Sequence, residues 1–209
     1  VRGNVPLAAG YLKLFARRRG LEDRCRVELL RATLANTLGD QGLVQAILVR
    51  EPWLVGLTCY VWNIERTLWV AQQLKQRRPD LLVVLGGPEM AIDNRWVLEH
   101  AAVDYAVLGE GEQTLYELAA ASFRNVEKIP GVGYRRDGVG TLSAARELIA
   151  DLDTLPFPAY HRLPDFPRRY TLPLFSYPKA PNTSVISSRG CPYQCSYCDR
   201  SVFSRGFRF

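Results

Sequence analysis

Residues 81–88, Leu81-Leu82-Val83-Val84-Leu85-Gly86-Gly87-Pro88, decide the fold. A continuous apolar, partly β-branched run that stops at two glycines and a proline describes a strand buried on both faces and ended by a turn. Such strands belong to parallel sheets whose crossovers lay helices over the faces. The flanks agree. Residues 63–78 form a long amphipathic pattern ended by Pro79, and residues 53–60 before it are another apolar, β-branched strand. Downstream, the pattern predicts a helix over 94–102, a strand over 105–108 and a helix over 112–123. Toward the N-terminus, Asp40 can cap a helix running through residue 49, residues 25–30 predict a short strand, and residues 7–19 predict a helix opened by Pro6 and stopped by Gly20. Repeated β-α units with short connections imply an α/β fold with a doubly wound parallel sheet over residues 1–130.

Beyond it, residues 131–142 carry Asp137-Gly138 between strand-like runs, a hairpin signal. Residues 143–182 are rich in proline and poor in periodicity, so 131–182 is expected to be a hairpin followed by an extended linker. Residues 183–187 predict a β-rich strand that delivers a cysteine-bearing loop, within a third segment over 183–209. The chain opens on Val1, begins its sheet region with a helix, and reaches the cysteine loop with few residues left. A piece of a longer protein is therefore expected.

Composition narrows the class. With 209 residues and 47% hydrophobic content, the chain can bury a core. No apolar run approaches the ~18 residues of a membrane span, and the N-terminus lacks a signal-peptide pattern, since Lys13 and Arg17-Arg18-Arg19 interrupt its apolar stretch. A cytoplasmic location is expected, where clustered cysteines more often mean metal or redox chemistry than disulfides. The net charge of +6 is concentrated in residues 160–209. That segment either attracts an anionic group or is a solvated linker. Nucleic acid is not an expected partner, because no basic and aromatic stripe runs along one element.

Cys191, Cys195 and Cys198 fall in the spacing CxxxCxxC. Three thiolates so placed can close around one soft metal centre. A four-iron cluster ordinarily takes four cysteines, so three leave one iron open to a reactant. Zinc would need a fourth ligand, and neither His100 nor His161 stands at a zinc-finger distance. A disulfide would leave one thiol over. Cys25 and Cys59 stand alone and are expected to be small buried hydrophobes.

Open α/β sheets bind ligands at the carboxyl ends of their strands. Three such ends carry the right residue types: Thr58-Cys59-Tyr60, Gly86-Gly87-Pro88 and Gly109-Glu110-Gly111-Glu112. Glycines let backbone approach a large planar ligand, and a hydroxyl can hydrogen-bond its edge. Glu112 also suits the positive terminus of a helix, which favours a capping role for it.

The run Ser188-Arg189-Gly190-Cys191-Pro192-Tyr193-Gln194-Cys195-Ser196-Tyr197-Cys198 resembles the opening of a radical S-adenosylmethionine (SAM) enzyme. Residues 55–58, 84–88 and 109–112, in that order and ahead of the cysteines, resemble the Rossmann-like cobalamin-binding domain that precedes many such barrels. The resemblance implies a [4Fe-4S] cluster on Cys191, Cys195 and Cys198, with SAM on the open iron, and it places the first strand and cluster loop of a truncated (β/α) barrel at the C-terminus. It puts Tyr197 near the adenine; packing of the loop is the alternative for that ring. It places Thr58, Tyr60, Gly86, Gly87, Pro88, Gly109 and Glu110 around the cobalamin. One departure stands out: if Gly10 is the glycine of the DxHxxG run that supplies a lower-face histidine, Val5 and Leu7 occupy the aspartate and histidine positions, and neither can ligate cobalt.

The implied activity is cleavage of SAM to a 5′-deoxyadenosyl radical for methyl transfer, cyclisation or rearrangement of an unactivated small-molecule substrate. An electron donor such as flavodoxin or ferredoxin would serve it. The piece alone is expected not to turn over SAM efficiently. The alternatives are a non-catalytic cobalamin-binding module, an empty structural sheet, and a radical methylthiotransferase acting on RNA. The last would need three more cysteines in the N-terminal part, where only Cys25 and Cys59 are present.

Overall fold

The computed structural model describes residues 6–31, 34, 37–90, 94, 96–157, 185–193, 195–198 and 206–209. The helices are α1 (Leu7–Arg18), α2 (Asp40–Leu48), α3 (Ile64–Arg77), α4 (Trp96–Glu99) and α5 (Gly111–Ala120). The strands are β1 (Leu54–Thr58), β2 (Leu82–Gly86), β3 (Tyr105–Val107), β4 (Val132–Arg136) and β5 (Val139–Leu142).

The strands form one open sheet in the order β1-β2-β3-β4-β5. β1, β2 and β3 run parallel, with Thr58 opposite Gly86 and Val84 opposite Tyr105. The hairpin expected at 131–142 does form, and its turn places Asp137 and Gly138 at positive φ, as a two-residue type I′ connection requires. It does not stand apart: β4 pairs antiparallel with β3, so the sheet is mixed.

Alternate residues of β2 explain the layers. Val83 and Leu85 pack with Ile64, Leu68 and Ala71 of α3 and with Val97 and Leu98 of α4. Val84 points the other way, toward Leu118 of α5, Phe123, Val132 and Tyr134. Both faces are therefore covered, which is the arrangement expected of a doubly wound sheet. α2 joins the first layer's flank, where Val44 and Ile47 meet Val55, Val70, Leu74 and Leu81. Each such buried aliphatic side chain contributes roughly 1.5–3 kcal/mol of transfer free energy. α1 lies beyond α5, its Tyr11 and Phe15 closing over Leu155.

Three expectations are corrected. Residues 25–30 are not a strand: Arg26 and Glu28 pair at 3.1 Å, and only the Leu30 end joins the core beside α2. Alternating character lets a segment fit a pleated face, but it forms a ladder only where a partner edge is available. The helix expected over 94–102 shortens to α4, because His100 Nδ1 accepts the Ala102 N–H at 3.2 Å in place of a helical carbonyl. Residues 185–187 of the expected 183–187 strand carry no ladder, and among the described residues the pairing nearby is an isolated antiparallel bridge between Arg189 and Arg208. Residues 183 and 184, most of the linker, His161 and Val5 lie outside the described residues.

Candidate functional site

The parallel register brings the ends of β1 and β2 side by side. Cys59 N–H donates to the Gly86 carbonyl at 2.7 Å, and Glu89 N–H donates to the Cys59 carbonyl at 3.3 Å, so the two turns are laced together. Gly87 sits at φ +107°, and a Cβ there would lie 2.6 Å from the Cys59 oxygen. Only glycine fits that crossing.

Gly56 and Thr58 share a face of β1, opposite Val84 and Gly86 of β2. Both are exposed, and a Cβ added at Gly56 or Gly86 meets nothing among the described residues within 4 Å. The carboxyl ends of β1 and β2 thus present a shallow cradle of bare backbone on the α5 side, with the Thr58 hydroxyl beside it. This suits a large flat ligand that needs close backbone approach. Asn63 holds the adjoining turn: its Oδ1 accepts the Tyr60 N–H at 2.7 Å and its Nδ2 donates to the Thr58 carbonyl at 3.0 Å. The Tyr60 and Trp62 rings stack with centroids 4.5 Å apart, and Trp62 is 76% exposed.

Cys59 is fully buried, and burial pushes its thiol up to about 11 despite a hydrogen bond with Thr67. In the metal-free protein this favours the neutral thiol at neutral pH. Leu7 heads α1 and packs with Tyr11, Phe15 and Leu155. His100, the one histidine among the described residues, precedes β3 and so lies at the amino edge of the sheet, away from the cradle.

Cys191 is exposed, Cys195 and Cys198 are half-buried, and none is in a disulfide. The Cys198 N–H donates to the Cys195 carbonyl at 3.2 Å, bending the loop. Their chemistry fits a soft centre. Their positions do not form a ready cage: among the described residues, no three His, Cys, Asp or Glu side chains converge on a metal position. Loop closure around a metal would accompany binding, as is usual where site formation and folding are coupled. Tyr197 is 90% exposed and does not pack the loop.

The loop's stem is fixed by a feature that the sequence did not disclose. Arg189 reaches Glu110 Oε1 at 3.1 Å and both carboxylate oxygens of Glu112, at 2.5 and 3.3 Å. Arg208 Nη1 donates to Glu110 Oε2 at 3.0 Å and to the Ile149 carbonyl at 2.7 Å, while Ile149 N–H donates to Glu110 Oε2 at 2.7 Å. Burial alone would raise the Glu110 carboxyl; the guanidinium and N–H donors outweigh it and hold the group below its ordinary value. Burial likewise works against the Arg189 charge, and the two glutamates more than offset it. Glu110, expected beside the cofactor, has its carboxylate engaged in these contacts, and Glu112 meets Arg189 from the first turn of α5.

Residues 4–119 match the B12 binding domain family. The chain belongs to that family. It is 32% identical over 157 residues to the cobalamin-dependent radical SAM methyltransferase TokK of Streptomyces tokunonensis, covering 71% of this chain and 22% of that protein. It is 29% identical over 221 residues to the anaerobic magnesium-protoporphyrin IX monomethyl ester cyclase of Rubrivivax gelatinosus, covering 100% of this chain and 37% of that one. Its fold matches the radical SAM methyltransferase TsrM of Kitasatospora setae, solved with cobalamin and a [4Fe-4S] cluster, with a TM-score of 0.66 at 22% identity, covering 96% of this chain and 40% of that one. This B12-binding chain spans 22% to 37% of the length of the curated relatives it matches.

Proposed function

We propose that this chain is the cobalamin-binding sheet and cluster-loop entrance of a cobalamin-dependent radical SAM enzyme. The observation that carries the reading is the laced turn pair at 58–60 and 86–89 with its bare-backbone cradle, in a B12-binding domain whose chain continues into CxxxCxxC. Thr58, Tyr60, Gly86, Gly87, Pro88 and Gly109 line the cobalamin side. Gly86 and Gly87 admit the corrin to backbone contact, and Thr58 offers its hydroxyl. Leu7 covers rather than coordinates. Cys191, Cys195 and Cys198 hold three corners of a four-iron cluster, and Tyr197 is free to lie against the adenine of SAM.

When bound, such a cluster supplies the electron that cleaves SAM to a 5′-deoxyadenosyl radical, and cobalamin supplies methyl-carrier chemistry. The substrate is a small molecule, transformed by methyl transfer or by cyclisation or rearrangement. The electron comes from a flavodoxin- or ferredoxin-like donor. The proposed location is the cytoplasm, the compartment in which clustered cysteines serve metal chemistry rather than disulfides; no described helix is long and apolar enough to cross a membrane.

A second reading, a cobalamin-binding module with no catalysis of its own, is supported by the family match over residues 4–119, which stops short of the cysteine loop. The methylthiotransferase reading would need three further cysteine ligands in the N-terminal part, where the sequence has Cys25 and Cys59. The test is anaerobic reconstitution of the full-length protein with iron and sulfide. The radical SAM reading expects broad four-iron absorption that is lost in Cys→Ala variants, with release of 5′-deoxyadenosine from SAM. Cobalamin binding without iron uptake supports the module instead.

A further inference from the structure

We propose that Arg189 is a positioning residue which, with Arg208, clamps the stem of the cysteine loop to the start of α5 and so sets the loop's placement relative to the cobalamin edge of the sheet. This rests on the reading of Cys191, Cys195 and Cys198 as cluster ligands.

The four side chains are nearly buried, with 16% of Arg189, 11% of Glu110, 7% of Glu112 and 13% of Arg208 exposed. Two guanidiniums face two carboxylates, so the cluster is neutral. Taking four charges out of water is costly, and a well-packed apolar set would often be no less stable. What the arrangement provides is geometric: a planar fork bound at fixed angles to two carboxylates. The carboxylates are well placed to transmit that geometry. Glu110 directly follows Gly109 at the end of the β3 connection, on the same sheet edge as Thr58 and Gly86, and Glu112 lies in the first turn of α5.

The stem has little freedom. Arg189 and Arg208 exchange backbone hydrogen bonds of 2.9 Å in both directions. Gly190 sits at φ +82°, and a Cβ there would lie 2.0 Å from the Gly206 oxygen, so the two segments cross at contact distance. The Tyr11 ring of α1 lies 5.5 Å from the Arg189 guanidinium carbon. Residue 189 is thus held from three sides, two positions before Cys191. An arginine at this position ties the cluster's first ligand to the sheet that carries the corrin.

Two measurements on the full-length protein test the clamp. The first is amide hydrogen exchange of the metal-free protein, comparing the parent with Arg189→Lys and Glu110→Gln. Lysine keeps the charge but loses the fork, and glutamine keeps the shape but loses the charge. The clamp predicts at least about tenfold faster exchange at 189–198 and 206–208, with β1–β3 protection unchanged. Unchanged exchange at 189–198, or loss of protection throughout the sheet, overturns it. The second is pulsed electron paramagnetic resonance of reconstituted protein, reading the dipolar coupling between cob(II)alamin and the reduced cluster. The clamp predicts a broadened cobalt–cluster distance distribution in both variants at full iron and cobalamin loading; a distribution identical to the parent's overturns it. A parent that takes up no cluster refutes the functional reading, while the exchange result still decides the clamp.

Discussion

Gly87 and Cys59 cross so closely that any side chain at position 87 would strike the Cys59 carbonyl oxygen, 2.6 Å from where its Cβ would stand. Gly86, one residue earlier, has the opposite surroundings: its Cβ would enter open space. The two neighbours therefore separate stability from binding. Gly87→Ala is expected to destabilise the protein by about 1–3 kcal/mol through a forced positive φ and a backbone clash. Gly86→Leu is expected to change stability by no more than about 0.5–1 kcal/mol, yet to weaken cobalamin binding at least about tenfold by filling the cradle. Urea denaturation and cobalamin titration of both variants check this.

Cobalt is expected to receive no nitrogen from the protein. Leu7 is committed to the apolar contact with Tyr11 and Phe15, and His100 lies at the amino edge of the sheet. Electron paramagnetic resonance of the cob(II)alamin complex should be identical for protein made with ordinary and with 15N-labelled histidine. A labelled-histidine hyperfine change would contradict the assignment.

The cysteines should divide sharply by role. Ala at Cys191, Cys195 or Cys198 is expected to abolish four-iron loading while leaving the thermal midpoint of the metal-free protein nearly unchanged, because these side chains lie at or near the surface. Cys59→Ala should load iron normally and lose about 1 kcal/mol of stability through the small cavity left behind. Iron analysis and thermal unfolding distinguish the two classes.

Glu110 predicts an acid-side loss of stability. Its folded carboxyl is held below the ordinary value of 4.5, so the folded state favours the ionised form. The stabilisation is fully present above that ordinary value and is lost as pH falls through the lower folded one. Denaturation midpoints measured from pH 7 downward should fall for the parent below about pH 5. Glu110→Gln should start lower and show a shallower fall across the same window. Parallel curves would remove Glu110 as the source.

Local signals disclosed the strands and most helices because burial on both faces writes itself into continuous runs such as Leu81–Leu85, and Asp137-Gly138 announces its own turn. The attachment of that hairpin to β3 was not legible, since register between β3 and β4 depends on edges distant in sequence. The same limit explains residues 25–30, whose alternation fits a strand although no partner edge receives it. The cradle was partly legible: Gly86-Gly87 and Thr58 were visible as strand-end residues, but the bare face at Gly56 needs the β1–β2 register. The Arg189 clamp escaped because 79 residues separate Arg189 from Glu110 and ion-pair choice leaves no periodic trace. The visible hint was a pair of acidic residues spaced by one glycine, matched by an arginine beside the glycine that precedes Cys191.

The most direct test is Mössbauer spectroscopy of the full-length protein reconstituted with 57Fe and sulfide under anaerobic conditions, with and without SAM. A four-iron cluster in which one iron site changes its parameters on SAM addition is the predicted result. Iron that never assembles into such a cluster, or tightly held zinc in its place, would contradict the account.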